Sequence, residues 1–96
     1  MRYLTVDGML SGTGIRDSVA GGYIEPRNLG ISDGLVAQID QWVKRYEQAH
    51  YFQFNDKAEN ESLDQEGMAI CRFLRVALPD AKIDYYSNAD MRKVMI

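Results

Sequence analysis

The chain has 96 residues and a mass of 10.9 kDa, with 46% hydrophobic and 26% charged residues. This size and composition predict a single folded domain over residues 1–96 and exclude a disordered chain. The formal net charge of −3 comes from 14 acidic and 11 basic side chains, so we expect a basic protein partner rather than nucleic acid.

The first third of the chain is rich in glycine, which predicts short strands joined by turns. Residues 3–6 are predicted as one strand and residues 19–24 as a second, which ends before Pro26. The segment between them, residues 11–17, has the composition of a turn or loop. Its Gly12-Thr13-Gly14 lacks the lysine and the following helix of a phosphate-binding loop, so we interpret it as a turn.

An amphipathic helix is predicted next, with Ser32 as its N-cap and its end near His50 or Tyr51. Apolar side chains recur every three or four residues and define the face expected to pack on the core. They are Leu35, Val36, Ile39, Trp42, Val43 and Tyr46.

A second helix is predicted after a polar stretch over residues 55–61. Ser62 and Gln65 match a capping box, which places the start at Ser62, and Pro79 closes the helix. Its main apolar stripe consists of Leu63, Gly67, Ile70, Cys71, Leu74, Ala77 and Leu78. Ala69, Phe73 and Val76 lie on another side, so this helix is either enclosed by the core or presents an apolar side to a partner.

A final strand is predicted over residues 82–86, where Ile83 and Tyr85 alternate with Asp84 and Tyr86. The tail, residues 87–96, adds either a short edge strand or a frayed end. The predicted fold is therefore α+β, with two helices packed on a small, largely antiparallel sheet in the order β-β-α-α-β.

Several classes of protein and site are excluded by what the sequence lacks. Its apolar runs are far shorter than the roughly 20 residues that span a bilayer, and Asp7 and Gly8 interrupt any signal-peptide core. We therefore expect a cytoplasmic protein that does not bind membranes. The single cysteine, Cys71, excludes an internal disulfide and a cysteine-based zinc site, and the single histidine, His50, excludes a histidine-rich metal site.

Catalytic and cofactor sites are not predicted either. Cys71 belongs to an apolar stripe, so we interpret it as a buried, inert thiol rather than a nucleophile paired with His50. We expect no cofactor and no catalytic residue.

The strongest local charge imbalance lies between the two predicted helices, where only Lys57 relieves a run of acids. These acids are Asp56, Glu59, Glu61, Asp64 and Glu66. Their spacing does not match a calcium loop. They form either a solvated loop at the start of a helix or a contact surface for a basic protein.

Three aromatic residues, Tyr51, Phe52 and Phe54, come just before the acids. They either seal the edge of the core or, if exposed, serve as anchors of a binding surface. The candidate partner-binding residues are therefore these three aromatics together with the five acids.

Six segments in chain order resemble a group of small bacterial cytosolic proteins, the immunity proteins of contact-dependent growth-inhibition systems. They are residues 11–17, 22–26, 29–32, 42–46, 63–67 and 82–86. The resemblance implies a protein that binds the toxic C-terminal domain delivered by a neighbouring cell, often a nuclease, and neutralises it without catalysis.

Two other functions remain as alternatives. One is a small metal-dependent enzyme that uses carboxylates within residues 56–66. The other is a subunit of a homo-oligomer whose interface is the side of the second helix that carries Ala69, Phe73 and Val76.

Overall fold

The computed structural model describes residues 2–94. Seven elements follow one another: strands β1 (Arg2–Asp7) and β2 (Ile15–Asp17), a 3-10 helix (Pro26–Leu29), helices α1 (Asp33–Tyr51) and α2 (Lys57–Ala77), and strands β3 (Ala81–Ser87) and β4 (Arg92–Val94). Among the described residues, no helix is long and apolar enough to cross a membrane.

The four strands form one sheet in the order β2-β1-β3-β4. The central pair, β1 and β3, is parallel, with Leu4 opposite Ile83 and Val6 opposite Tyr85. The two outer pairings are antiparallel. The predicted α+β fold with two helices on the sheet is confirmed. Its sheet is mixed because the chain returns through α1 and α2 between the two central strands, a connection that parallel strands require.

The predicted second strand, residues 19–24, is wrong in its position. β2 instead comes from the segment interpreted as a turn, and residues 19–24 contribute only an isolated bridge between Arg16 and Tyr23. Asp17 is the physical reason, because its carboxylate accepts hydrogen bonds from the backbone N–H groups of Val19 and Ala20 at 2.9 and 2.8 Å. This side-chain turn reverses the chain before a strand can form there.

Helix α1 confirms its prediction at both ends. The Ser32 hydroxyl accepts a hydrogen bond from the Leu35 N–H at 3.2 Å, which satisfies one of the free donors of the first turn. The helix ends at Tyr51. Its predicted core face is buried at Leu35, Val36, Ile39, Trp42 and Tyr46, and Val43 is partly buried against the same core.

Helix α2 begins at Lys57, so the predicted start at Ser62 is wrong. The N-cap is Asp56, whose carboxylate accepts a hydrogen bond from the Glu59 N–H at 3.1 Å. Asp56 and Glu59 have the same spacing as the capping box at Ser62, and the earlier signal prevails. The end before Pro79 is confirmed. Five stripe residues are buried as predicted, namely Leu63, Gly67, Ile70, Cys71 and Leu74.

Three aromatic side chains fill the centre of the core. The Trp42 ring lies edge-on to Tyr46 at 5.1 Å between ring centroids, and 6.1 Å from Tyr85. The Trp42 indole N–H donates to the backbone oxygen of Leu63 at 2.9 Å, so the two helices are joined by a buried hydrogen bond. Each of these rings buries roughly 150–250 Å², which makes them the main apolar contribution to folding.

The predicted final strand is confirmed and extends over Ala81–Ser87. The tail contributes the short edge strand β4, in which Val94 pairs with Tyr85 and Arg92 with Ser87. Residues 95 and 96 of the predicted tail lie outside the described residues.

Candidate functional site

The end of α1 and the turn that follows it project two aromatic rings away from the core. Tyr51 is 62% exposed and Phe52 is 67% exposed. The Tyr51 hydroxyl donates to the Glu47 carboxylate at 3.2 Å, so its ring lies along the outer side of α1. Large apolar side chains left this open to solvent are typical of contact surfaces when they occur together with polar rims.

The third candidate aromatic, Phe54, has a different role. It is partly buried, with its ring centroid 4.8 Å from that of His50 and 6.0 Å from that of Tyr46. Phe54 therefore seals the edge of the core, whereas Tyr51 and Phe52 are exposed. Phe54 thus fits the interpretation that the cluster seals the core, and Tyr51 and Phe52 have the exposure that a binding surface requires.

The backbone of this turn is held in a strained conformation. Gln53 and Phe54 both have positive φ, 54° and 56°, a region that costs non-glycine residues on the order of 1 kcal/mol or more. Hydrogen bonds compensate this cost. The Phe54 N–H donates to the Ala49 oxygen at 2.9 Å, and the Asn60 side-chain amide donates to the Phe54 oxygen at 2.9 Å. Phe52 is thus presented on a fixed turn rather than on a loose loop.

An open groove of about 1010 Å³ lies between the end of α1 and the start of α2. Its apolar lining comes from Ala49, Phe52, Phe54 and Ala58. Polar groups, among them Asp56, Glu59 and Arg45, also line it. An apolar floor beside charged groups suits a protein side chain inserted from a partner.

Arg45 joins two of the candidate acids. Its guanidinium lies 2.6 Å from a carboxylate oxygen of Glu59 and 2.6 Å from one of Glu66. It also donates to the Ser62 hydroxyl at 3.0 Å. The ion pairs are about 40% exposed at Arg45, so they fix the direction of the two carboxylates more than they add to stability.

Asp64 is directed inward, away from the other acids. Its Oδ1 accepts hydrogen bonds from the Tyr85 hydroxyl at 2.6 Å and the Tyr46 hydroxyl at 3.1 Å, and its Oδ2 accepts one from Ser87 at 3.0 Å. Burial, with the carboxylate nearby, raises the pKa of Tyr46 to about 12 and also raises the pKa of Tyr85. Asp64 therefore satisfies hydroxyl groups of the core.

The remaining acids divide by task. Asp56 caps α2, and Glu59 and Glu66 hold Arg45. Glu61 is exposed and makes no side-chain hydrogen bond or ion pair among residues 2–94. The structure thus brings Phe52, Asp56 and Glu59 together at the groove and separates Asp64 from them.

A second polar network, which no sequence pattern indicates, lies on the face of the sheet opposite the helices. Asp7 is almost fully buried, and its carboxylate accepts hydrogen bonds from Arg16 Nε at 3.1 Å and from the Tyr23 hydroxyl at 2.8 Å. Burial and the adjacent carboxylate raise the pKa of Tyr23. The sequence of β1 alone predicts that Asp7 is exposed to solvent. Its burial could not be predicted because the partners of its carboxylate come from another strand and a loop.

The predicted burial of Cys71 is confirmed, and the predicted turn is found at Gly12-Thr13-Gly14 but not at residues 15–17, which form β2. Cys71 is buried, and burial raises its pKa to about 12, which keeps it protonated at neutral pH. Thr13 donates to the backbone oxygens of Ile24 at 2.6 Å and Ile15 at 3.1 Å, so the Gly12-Thr13-Gly14 segment is a turn tied to its neighbours. Within residues 2–94, no three His, Cys, Asp or Glu side chains are placed to hold a metal ion.

Comparison with known proteins gives one family. The model of a family described as Serratia CdiI immunity protein-like matches residues 10–88, which is most of the chain. The match confirms the predicted resemblance to immunity proteins of contact-dependent growth inhibition. No curated protein gives a significant match to the chain.

Proposed function

Because this chain belongs to the Serratia CdiI immunity protein-like family, we propose that it binds the toxin domain of its own growth-inhibition system and neutralises it. It acts in the cytoplasm by covering the toxin rather than by a reaction of its own. One structural observation supports the choice of surface: two neighbouring aromatic rings are exposed where α1 ends, and the second of them, Phe52, lines an open groove.

The contact we propose is centred on the turn between the helices. Tyr51 and Phe52 are the anchors, since exposed aromatic rings contribute most to binding energy at protein interfaces. Phe54 supports them from the core edge. Asp56 and Glu59 line the groove together with Arg45 and Lys57. The exposed Glu61 follows two residues after Glu59, so acids slightly outnumber bases there, which favours a partner that carries lysine or arginine side chains around its apolar contact.

We further propose that the toxin domain is a nuclease. A nuclease must hold a polyanion, so its substrate cleft is basic. Glu61, which is exposed on the first turns of α2, adds negative charge that attracts such a surface before contact. Glu59 and Glu66 are held in fixed directions by Arg45, which lowers the entropy lost when they meet a partner.

Co-expression tests this function directly. The full chain is expressed with the toxin domain encoded by the adjacent gene, and the complex is isolated through a tag on the toxin. We expect a stable one-to-one complex and survival of cells that otherwise die from the toxin. A toxin domain from an unrelated growth-inhibition system is the matched control. Absence of both complex and protection would contradict the proposal.

A second candidate, self-association, is supported by Phe73 and Val76, which are exposed on α2. Sedimentation velocity of the purified chain distinguishes the two. A concentration-dependent dimer that a Val76→Lys substitution dissociates would support self-association through this side of the helix.

A further inference from the structure

The segment after β1 exposes apolar side chains although its backbone is firmly held. Met9 is 46% exposed and Leu10 is 42% exposed, directly after the buried Gly8. Exposed apolar residues in a loop are ordinary when the loop is loose. Here the surrounding contacts fix their position.

Helix α1 and the turn after β3 hold this segment from two sides. His50 Nε2 donates a hydrogen bond to the Gly8 oxygen at 2.9 Å. Asn88 is buried, and with its side-chain oxygen turned toward the loop it accepts hydrogen bonds from the N–H groups of Gly8 at 3.1 Å and Met9 at 3.3 Å. The Tyr46 ring packs so closely on Gly8 that a Cβ there would collide with it.

The buried carboxylate of Asp7 provides a third anchor. Its Oδ1 accepts a hydrogen bond from the Met9 N–H at 3.2 Å, while Arg16 and Tyr23 hold the same carboxylate from the other side. The network on the open face of the sheet therefore continues into the loop. The backbone that carries Met9 and Leu10 is therefore held to the core from three sides.

Other exposed apolar residues lie at the same end of the molecule. Because β1 and β3 are parallel, their C-terminal ends lie at the same end of the sheet. The turn after β3 carries Met91, which is 77% exposed. The hydrogen bond between His50 and Gly8 places the end of α1, with Tyr51, at this end of the sheet as well.

We propose that these residues form one docking surface for the toxin domain, larger than the helix turn alone. The surface consists of Met9, Leu10, Tyr51, Phe52 and Met91, called here the loop-end surface. This inference rests on the proposed function and extends its contact to two further loops. A preorganised apolar surface loses little conformational entropy on binding, which favours affinity.

Charge decides which occupant fits this surface. Acidic side chains flank its aromatic residues, with Glu47 beside Tyr51 and Asp56 beside the groove. At Met91, Asp90 is paired with Arg92 at 3.8 Å, so the negative charge lies on the aromatic side of the surface. A second copy of the chain would place like charges opposite one another across a two-fold axis. A toxin surface with an apolar centre and surrounding lysine or arginine side chains is complementary instead.

The test measures the dissociation constant of the cognate toxin domain for the full chain and three variants. Leu10→Lys and Met91→Lys change the loop-end surface. Val19→Lys is the matched control, at an exposed apolar residue in the turn that contacts the start of β1, at the opposite end of the sheet. We expect each of the first two to weaken binding by roughly tenfold or more, and the control to bind as the wild type. Thermal unfolding verifies that all variants are folded.

The outcomes separate this inference from the proposed function. If the wild type does not bind the toxin domain, the proposed function fails, and the inference fails with it. If the wild type binds and Phe52→Ala weakens binding, while Leu10→Lys and Met91→Lys bind as well as the control, the loop-end surface alone is overturned. It is also overturned if Leu10→Lys only dissociates a self-associated form of the chain.

Discussion

The Tyr85 hydroxyl donates a hydrogen bond of 2.6 Å to the carboxylate of Asp64, and this contact joins the last long strand to the second helix. Tyr46 and Ser87 donate to the same carboxylate. Asp64, which the sequence analysis assigns to an acidic surface, thus connects α1, α2 and β3 within the core.

Replacement of Asp64 should destabilise the fold more than replacement of any neighbouring acid. Asp64→Asn removes the charge that accepts three hydroxyl hydrogen bonds, and we expect a loss of about 1–3 kcal/mol in the free energy of unfolding. Urea denaturation measures this difference. Glu61→Gln, at an exposed residue, is the control and should leave the unfolding midpoint unchanged. Equal midpoints for the two variants would show that the hydroxyl network does not stabilise the fold.

Stability should decrease at alkaline pH because of the buried Tyr46. Burial raises its pKa from 10.0 to about 12, so the folded state keeps the phenol proton that the unfolded state loses first. Its contribution is fully present below pH 10 and is lost as the pH rises from 10 toward 12. Denaturation at several pH values in this window measures the slope, which Tyr46→Phe should reduce. A constant free energy of unfolding across the window would contradict this assignment.

Gly67 should tolerate no side chain, since an added Cβ would collide with the Tyr85 ring. We expect Gly67→Ala to lower the free energy of unfolding by roughly 1–3 kcal/mol despite the better helix propensity of alanine. The control is Gly34→Ala in the first turn of α1, where a Cβ meets no atom within 4 Å. It should stabilise the fold slightly. Stabilisation by both substitutions would mean that the Tyr85 ring can move aside.

Elements that depend on interactions between residues close in the sequence were predicted correctly more often than those that depend on particular side-chain contacts. Helix α1 could be predicted at both ends because Ser32, the apolar period and the polar turn all act within a few residues. The start of α2 was missed because Asp56 and Ser62 both offer an N-cap, and composition does not rank them. β2 was missed because the turn depends on the Asp17 side chain, which captures two backbone N–H groups.

The candidate site was predictable only in part, for the same reason. The aromatic and acidic residues were found from composition, but their orientation depends on distant partners. Asp64 turns inward because Tyr85 and Ser87 lie in a strand more than twenty residues later. Glu59 and Glu66 are paired with Arg45 of the preceding helix. Local sequence does not contain these contacts.

Charge reversal at Glu61 should slow toxin association without changing stability. The side chain is exposed, so its effect acts through long-range attraction, which salt screens over about 10 Å at 0.1 M ionic strength. Stopped-flow association of Glu61→Lys should be several-fold slower than wild type at low salt and similar at high salt. The control is Asp80→Lys, which makes the same charge change at an exposed acid in the turn after α2, at the opposite end of that helix from Glu61. Identical salt dependence for the two variants would remove Glu61 from the proposed contact.

The central claim is that Tyr51 and Phe52, which are exposed where α1 ends, bind the toxin domain. Calorimetric titration of the cognate toxin domain into the wild type, Phe52→Ala and the control Phe73→Ala tests it most directly, because both phenylalanines are exposed but only Phe52 lies at the turn. We predict that Phe52→Ala weakens binding by roughly tenfold or more, while Phe73→Ala binds as tightly as the wild type. Equal affinities for the wild type and Phe52→Ala would contradict the account.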